Sequence, residues 1–156
     1  MKKIFKLFLC LIAIFTISGC GNKTVHVDGK LEDLMTKIYT DISEEELPMM
    51  LQNVELTEED IEYYIGTTDI EYEEILVSEP MMGSIAHSVA LVRMKDGADI
   101  EAAKEKILET VNPRKWVCVW VEEEDVIVKN KGNLVILIMV EDENTRNKIE
   151  EGFDNL

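Results

Sequence analysis

The chain has 156 residues, of which 46% are hydrophobic, and its 16 lysine and arginine residues against 32 acidic residues give a net charge of −16. A single domain of this size buries enough surface to fold without disulfides or metal ions. So acidic a protein repels nucleic acid and anionic lipid headgroups, and it favours basic partners or loosely held divalent cations.

The first segment has the three parts of an export signal. Residues 1–6 contain three lysines, residues 7–17 are almost entirely apolar, and Ser-Gly-Cys follows at 18–20. The apolar stretch is too short to cross a bilayer as a helix, which takes about 20 residues. We therefore predict that residues 1–19 are a signal peptide, whose removal leaves 13 basic against 32 acidic residues and a net charge of −19.

The end of this segment, Ile-Ser-Gly-Cys at 17–20, resembles the lipobox of bacterial lipoproteins, with isoleucine where leucine is usual. In such proteins the cysteine sulfur receives a diacylglyceryl group and the cysteine becomes the first residue of the mature chain. The resemblance implies that Cys20 is lipidated and holds the protein at the extracytoplasmic face of the cell membrane. Two or more acyl chains make such an anchor stable. Residues 20–30 are polar and bounded by glycines, which predicts a short tether.

The cysteines predict no disulfide framework. Cys10 lies in the predicted signal peptide and Cys20 in the lipobox, so Cys118 is left without a partner. Because Cys118 lies in the apolar run WVCVWV, we expect a buried, unreactive thiol.

In the first part of the domain, hydrophobic spacing and turn residues predict helices, strands and a turn. The helices are expected over 31–42 and 57–66, the strands over 69–78 and 88–94, and the turn over 79–84. Thr57 opens the second helix with a pattern similar to a capping box, and Gly66 ends it.

The second part predicts a helix over 98–111, strands over 116–121, 126–128 and 134–140, and a last helix that begins at Asp142 or Asn144. Residues 130–133, Asn-Lys-Gly-Asn, have the composition of a hairpin turn. The seven consecutive apolar residues at 134–140 predict a central strand covered on both faces.

This order of elements favours one α+β domain over 31–156, in which helices pack on a mostly antiparallel sheet. The pattern does not determine the order of the strands.

Two stretches, VALVRMKDGADIEAAKEKI at 89–107 and VIVKNKGNLVILIMVEDE at 126–143, resemble a family of uncharacterised lipoproteins from clostridial-type Gram-positive bacteria. The resemblance extends over about residues 69–154. It implies a lipid-anchored extracytoplasmic domain and no known activity. The chain departs from the family over 113–125, where the family usually has a longer and more polar insert.

The sequence contains no pattern of a catalytic or cofactor site. Glycine-rich phosphate loops, the serine elbow and the spacings of zinc ligands are all absent. His87 is expected to be a surface or strand-edge histidine rather than a base or metal ligand. We therefore predict no catalytic residue, no metal and no cofactor, with an envelope hydrolase that uses acidic residues and His87 as the alternative.

Three further groups of residues leave alternatives open. The acidic clusters at 44–46, 58–60, 122–125 and 141–143 are expected to be solvated helix ends and loops, with calcium binding as the alternative. Trp116 and Trp120 are expected on one face of a strand, as core or as a ligand platform. The methionine pairs at 49–50 and 81–82 are expected to pack at the edge of the core, with a partner-binding surface as the alternative.

From the sequence we thus expect a non-catalytic binding or structural module of the cell envelope, anchored to the membrane by lipid, whose partner is a basic protein or an envelope component.

Overall fold

The computed structural model describes residues 25–156. Its four helices are α1 (Leu31–Ile38), α2 (Glu58–Ile65), α3 (Ile100–Thr110) and α4 (Glu143–Asp154). Its five strands are β1 (Leu51–Glu55), β2 (Tyr72–Pro80), β3 (His87–Met94), β4 (Ile127–Lys131) and β5 (Leu134–Val140). The strands form one sheet in the order β1-β2-β3-β5-β4, and every neighbouring pair is antiparallel. The predicted α+β fold is confirmed.

The helices cover both faces of the sheet. On one face, α1 and α4 pack against alternate strand residues such as Leu91 and Ile136, and Phe153 of α4 is fully buried there. On the other face, α2 and α3 pack against residues such as Val92 and Leu137. The resulting arrangement has three layers, with the sheet in the middle.

The hydrophobic run Leu134–Val140 is buried along its whole length, as a strand between two layers of helices requires. It pairs with β3 on one side and with β4 on the other. Gly132 has a φ of +57° in the turn that joins β4 to β5. This conformation suits glycine, and it fixes the hairpin that the sequence predicts.

The strand predicted over 116–121 is wrong. Cys118 has a φ of +65°, which is left-handed and incompatible with an extended run. The segment bends back on itself, and the Val121 amide donates a hydrogen bond to the Pro113 carbonyl oxygen over 2.9 Å. As a result Cys118 is exposed, and the expectation of a buried thiol is also wrong.

One strand was not predicted, and several boundaries differ from the prediction. The structure contains β1, whose sequence Leu-Gln-Asn-Val-Glu lacks the composition of a strand and depends on pairing with β2. Strand β2 continues to Pro80, so the turn predicted over 79–84 begins later. Helix α1 ends at Ile38 rather than at Ile42.

Residues 25–30, which end the predicted tether, are held against the domain. Val27 is buried in the core, and its amide donates to Asn133 Oδ1 over 3.1 Å. The Arg93 guanidinium donates to the Val27 carbonyl oxygen over 2.6 Å. The predicted signal peptide and Cys20 lie outside the described residues.

Candidate interaction surface

Five exposed apolar residues lie at one end of the sheet, and we call them the methionine surface: Met49, Met50, Met81, Met82 and Val117. The four methionines have exposed fractions of 71%, 56%, 62% and 38%, in chain order. The expectation that they pack at the edge of the core is therefore wrong, and the alternative of a partner-binding surface remains.

The backbone brings these residues together from three distant segments. Met50 directly precedes β1 and Met81 directly follows β2, and the Met81 amide donates to the Met50 carbonyl oxygen over 3.1 Å. The loop after Met82 is bonded to the third segment, since the Val117 amide donates to the Gly83 carbonyl oxygen over 2.7 Å. The pairing of β1 with β2 and the bend at Cys118 thus determine this surface.

Such a surface is suited to binding another protein. Methionine is flexible and polarizable, so a cluster of exposed methionines adapts to apolar partners of different shape. Contiguous exposed apolar residues on a soluble domain mark interaction sites more often than isolated ones do.

Beneath the methionine surface lies a buried ion pair between Lys115 and Glu79. The Lys115 side chain is 1% exposed, and its Nζ lies 2.6 Å from Glu79 Oε2. The Lys115 Nζ also donates to Ser88 Oγ over 3.1 Å. The indole of Trp116 donates to the other oxygen, Glu79 Oε1, over 3.1 Å. Every side chain in this group has a polar partner, as burial demands.

Three aromatic rings surround the ammonium group of Lys115. Its Nζ lies 4.9 Å from the ring centroid of Tyr63, 4.4 Å from that of Tyr64 and 5.1 Å from that of Trp116. Burial lowers the pKa of Lys115, while the charge of Glu79 raises it. Ser88 is almost fully buried beside Lys115. Because the charged and polar atoms of this group are buried and bonded to one another, we interpret the group as support for the loops that carry the methionine surface.

His87 lies at the same end of the sheet but on the opposite face. It begins β3, as expected for a strand edge, yet it is buried rather than on the surface. Its Nε2 lies 3.0 Å from the hydroxyl of Tyr39. Burial lowers the pKa of His87 to about 4 and raises the pKa of Tyr39. The imidazole is therefore neutral at physiological pH.

His87 lines a cleft of about 280 Å³ together with Glu46, Asp142 and Thr145. Glu141 also lines the cleft, and the other two carboxylates are bound to partners of their own. Glu46 Oε1 lies 2.6 Å from Lys148 Nζ, and Asp142 Oδ1 accepts from the Thr145 amide over 2.8 Å, which caps α4. Within residues 25–156 no three histidine, cysteine or acidic side chains are grouped to hold a metal ion.

The two tryptophans do not share a face. Trp116 is buried beside Glu79, whereas Trp120 is exposed and lies under the Arg114 guanidinium at 5.0 Å. The left-handed residue Cys118 between them changes the alternation on which the prediction depends. Trp116 and Trp120 therefore do not form a paired aromatic platform for a ligand.

The sequence does not indicate the Lys115–Glu79 pair. The two residues are far apart in the chain, and each is surrounded by residues typical of turns or strand ends. Glu79 lies at the end of β2 and Lys115 lies in the 113–121 segment. Only the folding of that segment back onto the sheet brings the two charges together.

No protein-family model, no curated protein and no solved structure matches this chain. The resemblance of residues 69–154 to clostridial-type lipoproteins therefore stays a prediction. Among the helices of residues 25–156, none combines the length and hydrophobicity that a bilayer crossing requires.

Proposed function

We propose that this protein is a non-catalytic binding module of the cell envelope, anchored through a lipid on Cys20 at the extracytoplasmic face of the cell membrane. The exposed methionine surface is the observation that carries the proposal, because those apolar side chains are 38–71% exposed in the described part of the chain. The lipobox-like sequence at 17–20 supports the anchor.

The described fold agrees with an anchored module whose binding surface points away from the bilayer. The Val25 carbonyl oxygen accepts from the Asn133 amide over 3.0 Å, at the turn that precedes β5. The methionine surface lies at the other end of the sheet, beyond the seven residues of β5, which span about 20 Å. Four residues separate Cys20 from Val25, so the five steps between their Cα atoms reach at most about 17 Å.

The partner is expected to be a basic protein or envelope component. Along the chain, acidic residues lie close to two parts of the methionine surface, at 44–45 before Met49 and at 122–125 after Val117. Long-range attraction then concentrates basic partners near this end of the domain, and apolar contact with the methionines holds them.

Site-specific crosslinking in intact cells tests the binding surface. A photoreactive amino acid replaces Met81 in one strain and Leu108 in a matched strain, because Leu108 is also an exposed apolar residue but lies on α3. We expect a reproducible crosslinked species from the Met81 position only. Equal crosslinking at both positions, or none at Met81, would contradict the proposal.

Mass spectrometry of the native N-terminus tests the anchor. We expect a diacylglyceryl-modified Cys20 as the first residue, and a Cys20→Ser variant that leaves the membrane fraction. A full-length chain with an unmodified Cys20 in the cytosol would refute the anchored module, whatever the crosslinking shows.

A further inference from the structure

The two edges of the sheet differ in how accessible they are. At one edge, the β4 lysines are bound to α4: Lys129 Nζ lies 2.9 Å from Glu150 Oε1, and Lys131 Nζ donates to the Asp154 carbonyl oxygen over 2.8 Å. At the other edge, β1 pairs with β2 and with no second strand in the described part of the chain. Such an edge is a template for a further strand.

The hydrogen-bond alternation shows which backbone groups of β1 are free. Antiparallel ladders alternate between residues that bond across the pair and residues that point away from it. The Met81 amide donates to the Met50 carbonyl oxygen, so Met50 is a position that bonds across the pair. Every second residue after it, Gln52 and then Val54, therefore bonds to β2 as well. Leu51 and Asn53 therefore direct their N–H and C=O groups outward.

A groove beside β1 is able to receive side chains of an added strand. It has a volume of about 200 Å³, lies between α1 and β1, and is lined by Met35, Tyr39, Leu51 and Asn53, among others. The two exposed methionines of the methionine surface that precede β1 extend the same edge.

The charge around this edge selects the partner. Between Lys37 and Arg93 the chain has fourteen acidic residues and no lysine or arginine, and β1 lies within this stretch. Four of the fourteen form ion pairs with basic residues from outside the stretch. The field of these carboxylates repels a second copy of this acidic protein and attracts a basic chain.

We propose that the outer edge of β1 binds an extended, basic peptide segment, which adds to the sheet as a sixth strand. Backbone hydrogen bonds to Leu51 and Asn53 hold the segment, and its lysine or arginine side chains face the acidic surroundings. This inference deepens the binding function proposed above and rests on it, since it specifies the class of partner and how the partner is bound.

The test uses the soluble domain from residue 21 onward and a fluorescein-labelled peptide of about ten residues, in which lysine alternates with threonine and valine. Asn53→Pro removes an outward N–H that the fold does not use, and Asn53→Ala is the matched control that keeps it. Fluorescence anisotropy gives the Kd, and circular dichroism reports whether each variant is folded.

We expect the lysine peptide to bind, and the same peptide with glutamate in place of lysine not to bind. Asn53→Pro should weaken binding at least about tenfold, and Asn53→Ala should change it less than about twofold. A peptide N-methylated at alternate residues should also bind at least about tenfold more weakly to the unchanged protein, which keeps the test valid if Asn53→Pro fails to fold.

Three results would overturn the inference. The first is no binding of the lysine peptide, and the second is binding that neither Asn53→Pro nor N-methylation weakens, which indicates charge attraction without strand addition. The third is a dimer of the protein that Asn53→Pro dissociates, because a second copy would then occupy the edge. In each case a crosslink at Met81 would still support the proposed function. Failure of the strand-addition inference is therefore distinguishable from failure of the proposed function.

Discussion

Glu79→Gln should strongly destabilise the domain, because it leaves the ammonium of Lys115 buried without a counterion. The side chains of Lys115 and Glu79 are 1% and 9% exposed, so solvent replaces little of the lost interaction. Breaking such a buried pair costs about 3–5 kcal/mol of unfolding free energy. For a domain of this size, that loss corresponds to a fall in Tm of about 10–20 °C.

Urea denaturation at neutral pH measures the effect, and two further variants make the measurement specific. Glu101→Gln is the matched control, because the 76% exposed Glu101 side chain pairs with Lys104 at 2.8 Å and its loss should cost less than about 1 kcal/mol. Glu79→Gln combined with Lys115→Met should recover most of the stability, since the apolar side chain fits among the aromatic rings.

The stability of Glu79→Gln should also depend on pH. Burial lowers the pKa of Lys115 below its ordinary value of 10.5, and the neutral amide of the variant no longer provides the charge that opposes this shift. Between the two pKa values the unfolded chain binds more protons than the folded one, so the free energy of unfolding rises with pH. The difference in unfolding free energy between the unchanged protein and Glu79→Gln should therefore shrink as the pH rises from about 7 to about 10. The buried pair would be refuted if Glu79→Gln lowered the free energy of unfolding by less than about 1 kcal/mol. It would also be refuted if the double variant were no more stable than Glu79→Gln.

Two other predictions concern buried groups on the α1 and α4 face of the sheet. Burial lowers the pKa of His87 from 6.5 to about 4, so between these pH values the unfolded chain binds a proton that the folded chain does not. The unfolding free energy should therefore fall by up to about 3 kcal/mol as the pH falls through this range. His87→Gln should flatten this slope in urea denaturation series; equal slopes would contradict the burial of His87. Gly152→Ala should destabilise the domain by about 1–3 kcal/mol, since the added Cβ meets the carbonyl group of Ile38 where α4 crosses α1. Thermal unfolding checks this, and an unchanged Tm would indicate that the two helices are further apart.

Elements with strong local patterns were predictable from the sequence. The run Leu134–Val140 has the length and composition of a strand buried on both faces, and the helix expected over 98–111 is α3. In both cases neighbouring residues carry the whole signal, through apolar periodicity or through turn residues such as Gly132.

Elements that depend on distant partners were not predictable. Strand β1 exists because its backbone pairs with β2, and its composition of polar residues does not favour a strand. The apolar run at 116–121 favours one, but the left-handed Cys118 and the bond from Val121 to Pro113 make it a loop. Residues 25–30 have the composition of a linker, yet hydrogen bonds to Asn133 and Arg93 hold them on the domain.

The sequence by itself determined the fold class, the central strand and the hairpin, because each follows from the periodicity of adjacent residues. Only the tertiary structure decided the strand order, the exposure of the methionines, the burial of Lys115 beside Glu79 and the free edge of β1. These features arise from contacts between segments far apart in the chain, and local patterns contain no information about which segments meet.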